Sequence, residues 1–368
     1  MADISRIEPT QLPNGLWLDG NEYASENVEE SSGVLSLVSG ETDGYRVGPE
    51  LDVGAISDVA SSKLEWDSTG DVEVLAAVSE VSAQGSMRGD GVDDYINLGT
   101  LGSTGSEIET KGLQVSFWIK TTQTARRFVT GGILVDGDSM LFVPIINDSG
   151  ADNLMSFYFR PHLLDGNRST SIFEPNVTIN DNQWHYVECG VSVGVTQFTM
   201  FLRVDGNEVA DTASLASADF QYDFTLFAGN SRGTVGNWFL GNLYDFELKN
   251  SDGVIVRLPL DDPPGSETAR DISGNNNNGA VIGATFDPNN PKQDIATNGQ
   301  AMPGISRGDD LTGKKLYTQQ RFNRDTTGDP SPTLTSLTAE VNGTGGAFSL
   351  INGGLIRSAH TQSNTMIR

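Results

Sequence analysis

The period of the apolar residues constrains this chain more than any other feature. In LQVSFWIK (113–120), Leu113, Val115, Phe117 and Ile119 share one side of an extended backbone. Phe198, Met200, Leu202 and Val204 do the same in FTMFLRV, and Val254, Val256, Leu258 and Leu260 in VIVRLPL. Side chains alternate across a strand, so a period of two gives each segment one face to bury in a sheet. No stretch carries an apolar period of 3.6 residues over several turns, which argues against helices. Between the runs, 42 glycines and clustered Asp and Asn supply turns, and Asp205-Gly206 marks a hairpin. The expectation is an all-β chain of sandwich type. Its 368 residues fit two domains, or one domain carrying an insertion.

The formal charge is −26, which repels nucleic-acid phosphates, so no nucleic-acid partner is expected. Only seven of the 23 basic residues are lysine. Excess carboxylate with little lysine suits a protein kept in concentrated salt, where screening removes self-repulsion. The competing explanation is an acidic mesophilic surface; the halophile reading is adopted. The opening MADISRIEPTQ has neither a basic nor an apolar region, and no apolar run is long enough to cross a bilayer. Neither a secretion signal nor membrane insertion is expected. Cys189 is the sole cysteine, so no intrachain disulfide forms, and its alternating run WHYVECGVSV marks it as a buried small residue.

Six motifs in order over residues 84–291 resemble the concanavalin A-like, laminin-G-type jelly-roll family: MRGDGVDDYINLG, LQVSFWIKT, NDNQWHYVECGVS, FLRVDGNEVADT, FLGNLYDFELKNSDGVIVRLPLDD and ARDISGNNNNGAVIGATF. Arg88 departs from the pattern, standing where the family usually has an aromatic residue. The flanks resemble two halves of a small β-sandwich module found in tail and fibre proteins of tailed phages: YRVGPELDVGAISDVASSKLEWDS (45–68) and the stretch from Thr297 to Val341. The resemblance implies a laminin-G-like jelly roll inserted into a second, smaller, discontinuous β-sandwich. The expected boundaries are an N-terminal virion-docking arm at 1–40, the split module at 41–83 plus 292–343, the jelly roll at 84–291 and a C-terminal tail at 344–368. The Asn-rich DISGNNNN is expected to turn into one short strand from Ala280 to Phe286.

Asp90, Asp93 and Asp94 crowd the stretch GDGVDDYINLG (89–99). One reading is a corner, because Asp supports tight turns by accepting backbone N–H groups. The other is calcium, which takes six to eight oxygens and which jelly rolls of this type often hold in loops. EF-hand spacing fails: Val92 occupies the third ligand position.

Enzymatic readings find little support. The E-x-D-x-x-E of laminarinase-type glucanases ends on Ala55 in ELDVGA, so one carboxylate is missing. GISRG (304–308) and GNSRG (229–233) match a nucleophile elbow by letters but lack its strand–turn–helix context. His162, His185 and His360 form no zinc spacing, and His185 is expected to pack or to meet backbone groups. No enzyme is expected.

Binding remains. Sugar sites combine aromatic stacking with Asp, Asn or Arg on hydroxyls. The candidates are Asn230, Arg232, Asn237 and Trp238 in AGNSRGTVGNW, and Asp165 and Arg168 in RPHLLDGNRST. The alternative for each is an ordinary polar loop, with Trp238 in the core.

The sequence reading is therefore a virion structural protein of a tailed virus of a halophilic archaeon, assembled in the host cytoplasm. Its lectin-like domain would attach to a host-surface glycan or glycoprotein, with calcium as the one candidate cofactor. Other virion proteins and copies of itself, as a trimer or pentamer, would be its partners. The alternatives are a purely architectural decoration or turret protein and a carbohydrate-active enzyme with an accessory lectin domain.

Overall fold

A computed structural model describes residues 23–31, 34–48, 50–101, 111–123, 127–128, 130–134, 141–146, 155–160, 170–173, 177–193, 197–214, 224–228, 238–351 and 354–357. Every regular element among them is a β-strand, and every pairing is antiparallel. The chain divides into two compact units, one of residues 85–291 and the other of 1–84 with 292–368.

The split unit is built from two six-stranded sheets. Its central pairings each join one strand before the insertion to one after it. Asp71–Ser79 pairs along its whole length with Lys315–Asn323, and Asp58–Thr69 pairs with Thr333–Thr344. Gly70 links the two earlier strands at φ 71°, against Pro332, where a side chain would be both strained and crowded. Leu64, Val74, Leu316, Phe322, Leu337 and Val341 are among the residues that fill the core between the sheets. Each such side chain contributes about 2 kcal/mol by leaving water.

Where a docking arm was expected over 1–40, residues 24–37 instead supply three strands. Ala24–Glu26 pairs with Asp43–Val47, and Val28–Ser31 forms a hairpin with Val34–Leu37. Leu35 and Leu37 alternate with serine and are buried. Runs this short give too few alternations to read as strands. Beyond residue 343, Gly346–Ile351 and Gly354–Arg357 extend the same sheet where a tail was expected.

The inserted unit is a jelly-roll-type sandwich. Its eight-stranded sheet runs in the order Asn207–Ser214, Gln197–Val204, Trp184–Val193, Leu113–Lys120, Leu240–Asn250, Ser86–Asp90, Thr285–Asp287, with Gly253–Leu258 pairing on Leu240–Asn250. A five-stranded sheet holds Thr130–Leu134, Phe224–Ala228, Tyr95–Thr100, Gly279–Ile282 and Thr268–Ala269. Leu141–Ile146 and Met155–Arg160 lie at the centre of a further four-stranded sheet. The core takes Val115, Phe117 and Ile119 from the large sheet, Ile96 and Leu98 from the five-stranded sheet and Phe157 from the third. Cys189 is fully buried among them, which pushes its thiol pKa up. Asp205 and Gly206 both take positive φ, 49° and 82°, as a two-residue hairpin turn requires.

The first and last strands pair in both main sheets: Ser86–Asp90 with Thr285–Asp287, and Tyr95–Thr100 with Gly279–Ile282. The stretch expected as one strand from Ala280 to Phe286 is thus two strands in different sheets. Gly283, at φ 72°, makes the break. This closure brings the ends of the unit together, and Asn290 Nδ2 donates to the Gly85 carbonyl at 2.7 Å.

Candidate functional site

Asp90 ends its strand opposite Leu240. The chain then turns through Gly91, at φ 81°, and enters the other sheet at Tyr95. Two carboxylates hold the corner. Asp90 Oδ1 accepts the Val92 amide at 2.7 Å, and Asp94 Oδ2 accepts the Asp90 amide at 2.6 Å. A side chain on Gly283 would collide with Asp94 Oδ1, so glycine leaves the room that this carboxylate occupies. The corner reading is therefore satisfied in full.

The same three residues also form a donor set. Asp94 is buried, Asp90 and Asp93 are exposed, and one oxygen from each lies within 4.8 Å of the others. Burial pushes the Asp94 carboxyl above its ordinary 3.8. The bond from the Asp90 amide opposes this, and the charges of Asp90 and Asp93 add to it. Three carboxylates in mutual repulsion, all with hard oxygen donors, fit a calcium ion, which would draw its remaining oxygens from carbonyls or water.

Beside the turn, apolar surface is open to solvent: Val92 is 64% exposed and Leu240 37%. Trp238 stacks on Tyr95, with ring centroids 5.5 Å apart at 26°. It is half-buried at the edge of the sandwich, not in the core. Gln123 fixes this stretch by donating from Nε2 to the Trp238 carbonyl at 3.4 Å and accepting the Leu240 amide at 3.2 Å. Thr121 Oγ1 donates to the Leu240 carbonyl at 2.5 Å.

Of the other sequence candidates, Asn230, Arg232, Asn237, Asp165 and Arg168 lie outside the described residues. The residues flanking 229–237 are described, and both meet the Tyr95 strand: Ala228 pairs with Ile96, and Trp238 stacks on Tyr95. Sequence reasoning missed Tyr95, Val92, Leu240 and Gly283. Tyr95 was legible as the aromatic closing DDY; the other three carried no signal.

The remaining polar clusters are structural. His185 sits between two carboxylates, Nδ1 at 2.6 Å from Asp205 Oδ2 and Nε2 at 3.0 Å from Asp181 Oδ1. Its partners are thus acidic side chains, not the backbone groups expected. Both ring nitrogens are engaged, which requires the imidazolium form and leaves no free base. Burial would lower the His185 pKa, but the two carboxylates outweigh it and hold the value above the ordinary 6.5. Asp271 gathers the amides of Arg257, Ser273 and Asn277 at 2.8–2.9 Å. Burial pushes its carboxyl up, and these bonds pull it below 3.8. Asn275 and Asn277 donate to the carbonyls of Val254 and Ile255, so the Asn-rich run clamps a strand edge. A cavity of about 30 Å³ between Met87, Ile96, Leu260, Asp262 and Phe286 has room for one water, far short of a sugar.

These features define an all-β protein in which a jelly-roll sandwich interrupts a smaller sandwich and bears an acidic, apolar-rimmed edge. The chain matches no protein-family model and no curated relative. Among solved structures it is similar to a SAP-like pentraxin from Limulus polyphemus, with 15% identity and a TM-score of 0.28 over 52% of this chain and 76% of that one. A Ruminococcus gnavus sialidase carbohydrate-binding module gives 14% and 0.31 over 46% and 92%. Domains LG4-5 of the mouse laminin α1 chain give 14% and 0.32 over 85% and 81%. Likenesses at this level assign no ligand, activity or partner to this chain.

Proposed function

We propose that this chain is a non-catalytic structural protein on the surface of a tailed virus of a halophilic archaeon, whose jelly roll attaches to a host-surface glycan or glycoprotein. One observation carries the reading at the site: exposed Val92 and Leu240, the Tyr95–Trp238 stack and three carboxylates converge on one edge. Trp238 and Tyr95 present aromatic surface to the apolar face of a sugar ring. Asp90, Asp93 and Asp94 would hold calcium, which when bound cancels their repulsion and offers coordination positions to hydroxyl groups. The split module, the flanking halves of which resemble a phage tail and fibre module, would anchor the protein to other virion proteins. Many copies on one particle would multiply a weak single-site affinity.

The test is retention of the full chain on host envelope in molar salt, with and without a chelator. Saturable binding lost on chelation is expected. Binding indifferent to the chelator would remove calcium from the reading. No binding, even when the chain is multimerised on beads, would favour the architectural role.

A further inference from the structure

The large sheet of the inserted unit has a second face, opposite the core. The strand register places its side chains in rows. Tyr186 and Trp118 are directly opposed on adjacent strands, both half-buried, with their rings 5.2 Å apart, while Tyr244, opposite Trp118 on the next strand, is fully buried within the chain. The next row runs Glu208, Arg203, Glu188, Ser116, Glu247, Arg257. The row after that has Phe201 beside Gly190, where an added Cβ would come within 2.9 Å of the Phe201 ring, so the glycine leaves room for that ring.

Charge sets this face apart. Arg88, Lys120, Arg203, Lys249 and Arg257 stand there against Asp90, Glu188, Glu208, Asp245, Glu247 and Asp287, five basic to six acidic residues. The whole chain has 23 basic to 49 acidic. The charges are largely matched within the chain. Arg203 meets Glu188 and Glu208 at 2.6 and 2.5 Å, Arg257 meets Asp245 at 2.9 Å, and Lys249 meets Glu247 at 3.1 Å.

We propose that this face is the interface between two copies of the chain. Carboxylates of two copies brought into direct contact still repel inside the ~3 Å screening length of molar salt, whereas a charge-balanced face meets its copy with few like-charge contacts. Its internally paired ions demand no foreign charge. Trp, Tyr and Arg, concentrated here, are the residues that carry most interface energy. Six strands at ~4.8 Å spacing and about eight residues of length span roughly 25 by 27 Å, about 675 Å² before the buried patch at Tyr244 is taken off, toward the lower end of the ~600–1,000 Å² each partner gives to a standard interface. A sheet face can pack on its own copy about a twofold axis, as sandwiched sheets pack face to face. The proposal does not rest on the glycan reading, whose Asp90 and Leu240 stand at the end of this same face.

Sedimentation of the full chain in molar potassium chloride tests it, together with cross-linking. The expected result is a dimer or a larger even-numbered assembly. Arg203→Glu with Lys249→Glu should raise its dissociation constant by about tenfold or more. Gln114→Cys should cross-link between copies with a bismaleimide while Asp252→Cys, in an exposed turn, should not; this readout stands even if the charge reversals impair folding. Cys189 is buried and does not compete. A chain monomeric at every concentration would overturn the proposal. So would an assembly that ignores the reversals and cross-links only through Asp252→Cys, or a monomer whose glycan binding depends on Trp118.

Discussion

At the scale of single residues, the acidic turn separates two roles by atom. Asp90 and Asp94 each give an oxygen to the backbone, whereas Asp93 is exposed and makes none of those bonds. Asp93→Ala should therefore leave unfolding in chelator within about 0.5 kcal/mol of the parent. It should weaken calcium binding by calorimetry; equal calcium affinity in parent and variant would remove Asp93 from the donor set. His185 gives a pH signature. Its folded pKa lies above 6.5, so the stability it contributes is complete below that value and is lost as pH rises through the folded pKa. Asp181 is held below 3.8, burial opposing and His185 prevailing, so its contribution is lost only as pH falls through that lowered value. The stability gap between parent and His185→Asn in urea should be widest between these limits and shrink toward pH 9. An NMR titration of the imidazole with a midpoint at or below 6.5 would contradict this.

At the scale of elements, hydrogen-bonding side chains add to apolar contact in holding an edge strand whose Val256 and Leu258 are buried in the core. The Asp271 loop secures the edge strand Gly253–Leu258 through the Arg257 amide, and Asn275 and Asn277 of the same loop secure it through the Val254 and Ile255 carbonyls. Asp271→Ala strands several amides at once and should cost about 3 kcal/mol or more. Hydrogen exchange should show the loss first at the Arg257 and Asn277 amides; unchanged protection there would mean the loop is held by other means. The strands Leu113–Lys120, Gln197–Val204 and Gly253–Leu258 were legible because apolar residues at period two leave no alternative, whereas Asp58–Thr69 and Thr333–Thr344, the longest among the described residues, were not read. The 24–37 hairpin was not, because a strand of four residues offers only two inward positions. The break at Gly283 was hidden for a related reason: a crossing between sheets costs only one residue with positive φ.

At the scale of the whole chain, the split unit depends on strands from both sides of the insertion. Residues 1–84 expressed alone should therefore lack a cooperative melt. Replacing residues 85–291 by a short turn should leave the unit folded, because Gln293 Nε2 already donates to the Ala83 carbonyl at 2.8 Å where the chain leaves and returns. Calorimetry of that deletion is the check, and a deletion without a transition would show that the insert is needed for folding. Net charge acts at the same scale. Raising salt from millimolar to molar should raise the melting temperature by screening −26 charges, and a flat response would remove the halophile reading.

The sequence by itself determined that the chain is all-β, where several strands of the inserted unit lie and that Asp205-Gly206 makes a hairpin turn. These follow from local sterics and from a period that each segment carries alone. The tertiary structure decided which strands become partners, that the Asp90 turn lies beside Trp238, and that His185 is held by Asp181 and Asp205. Such pairings join residues up to some hundreds of positions apart, and their energy comes from burial and hydrogen bonds that no local segment encodes.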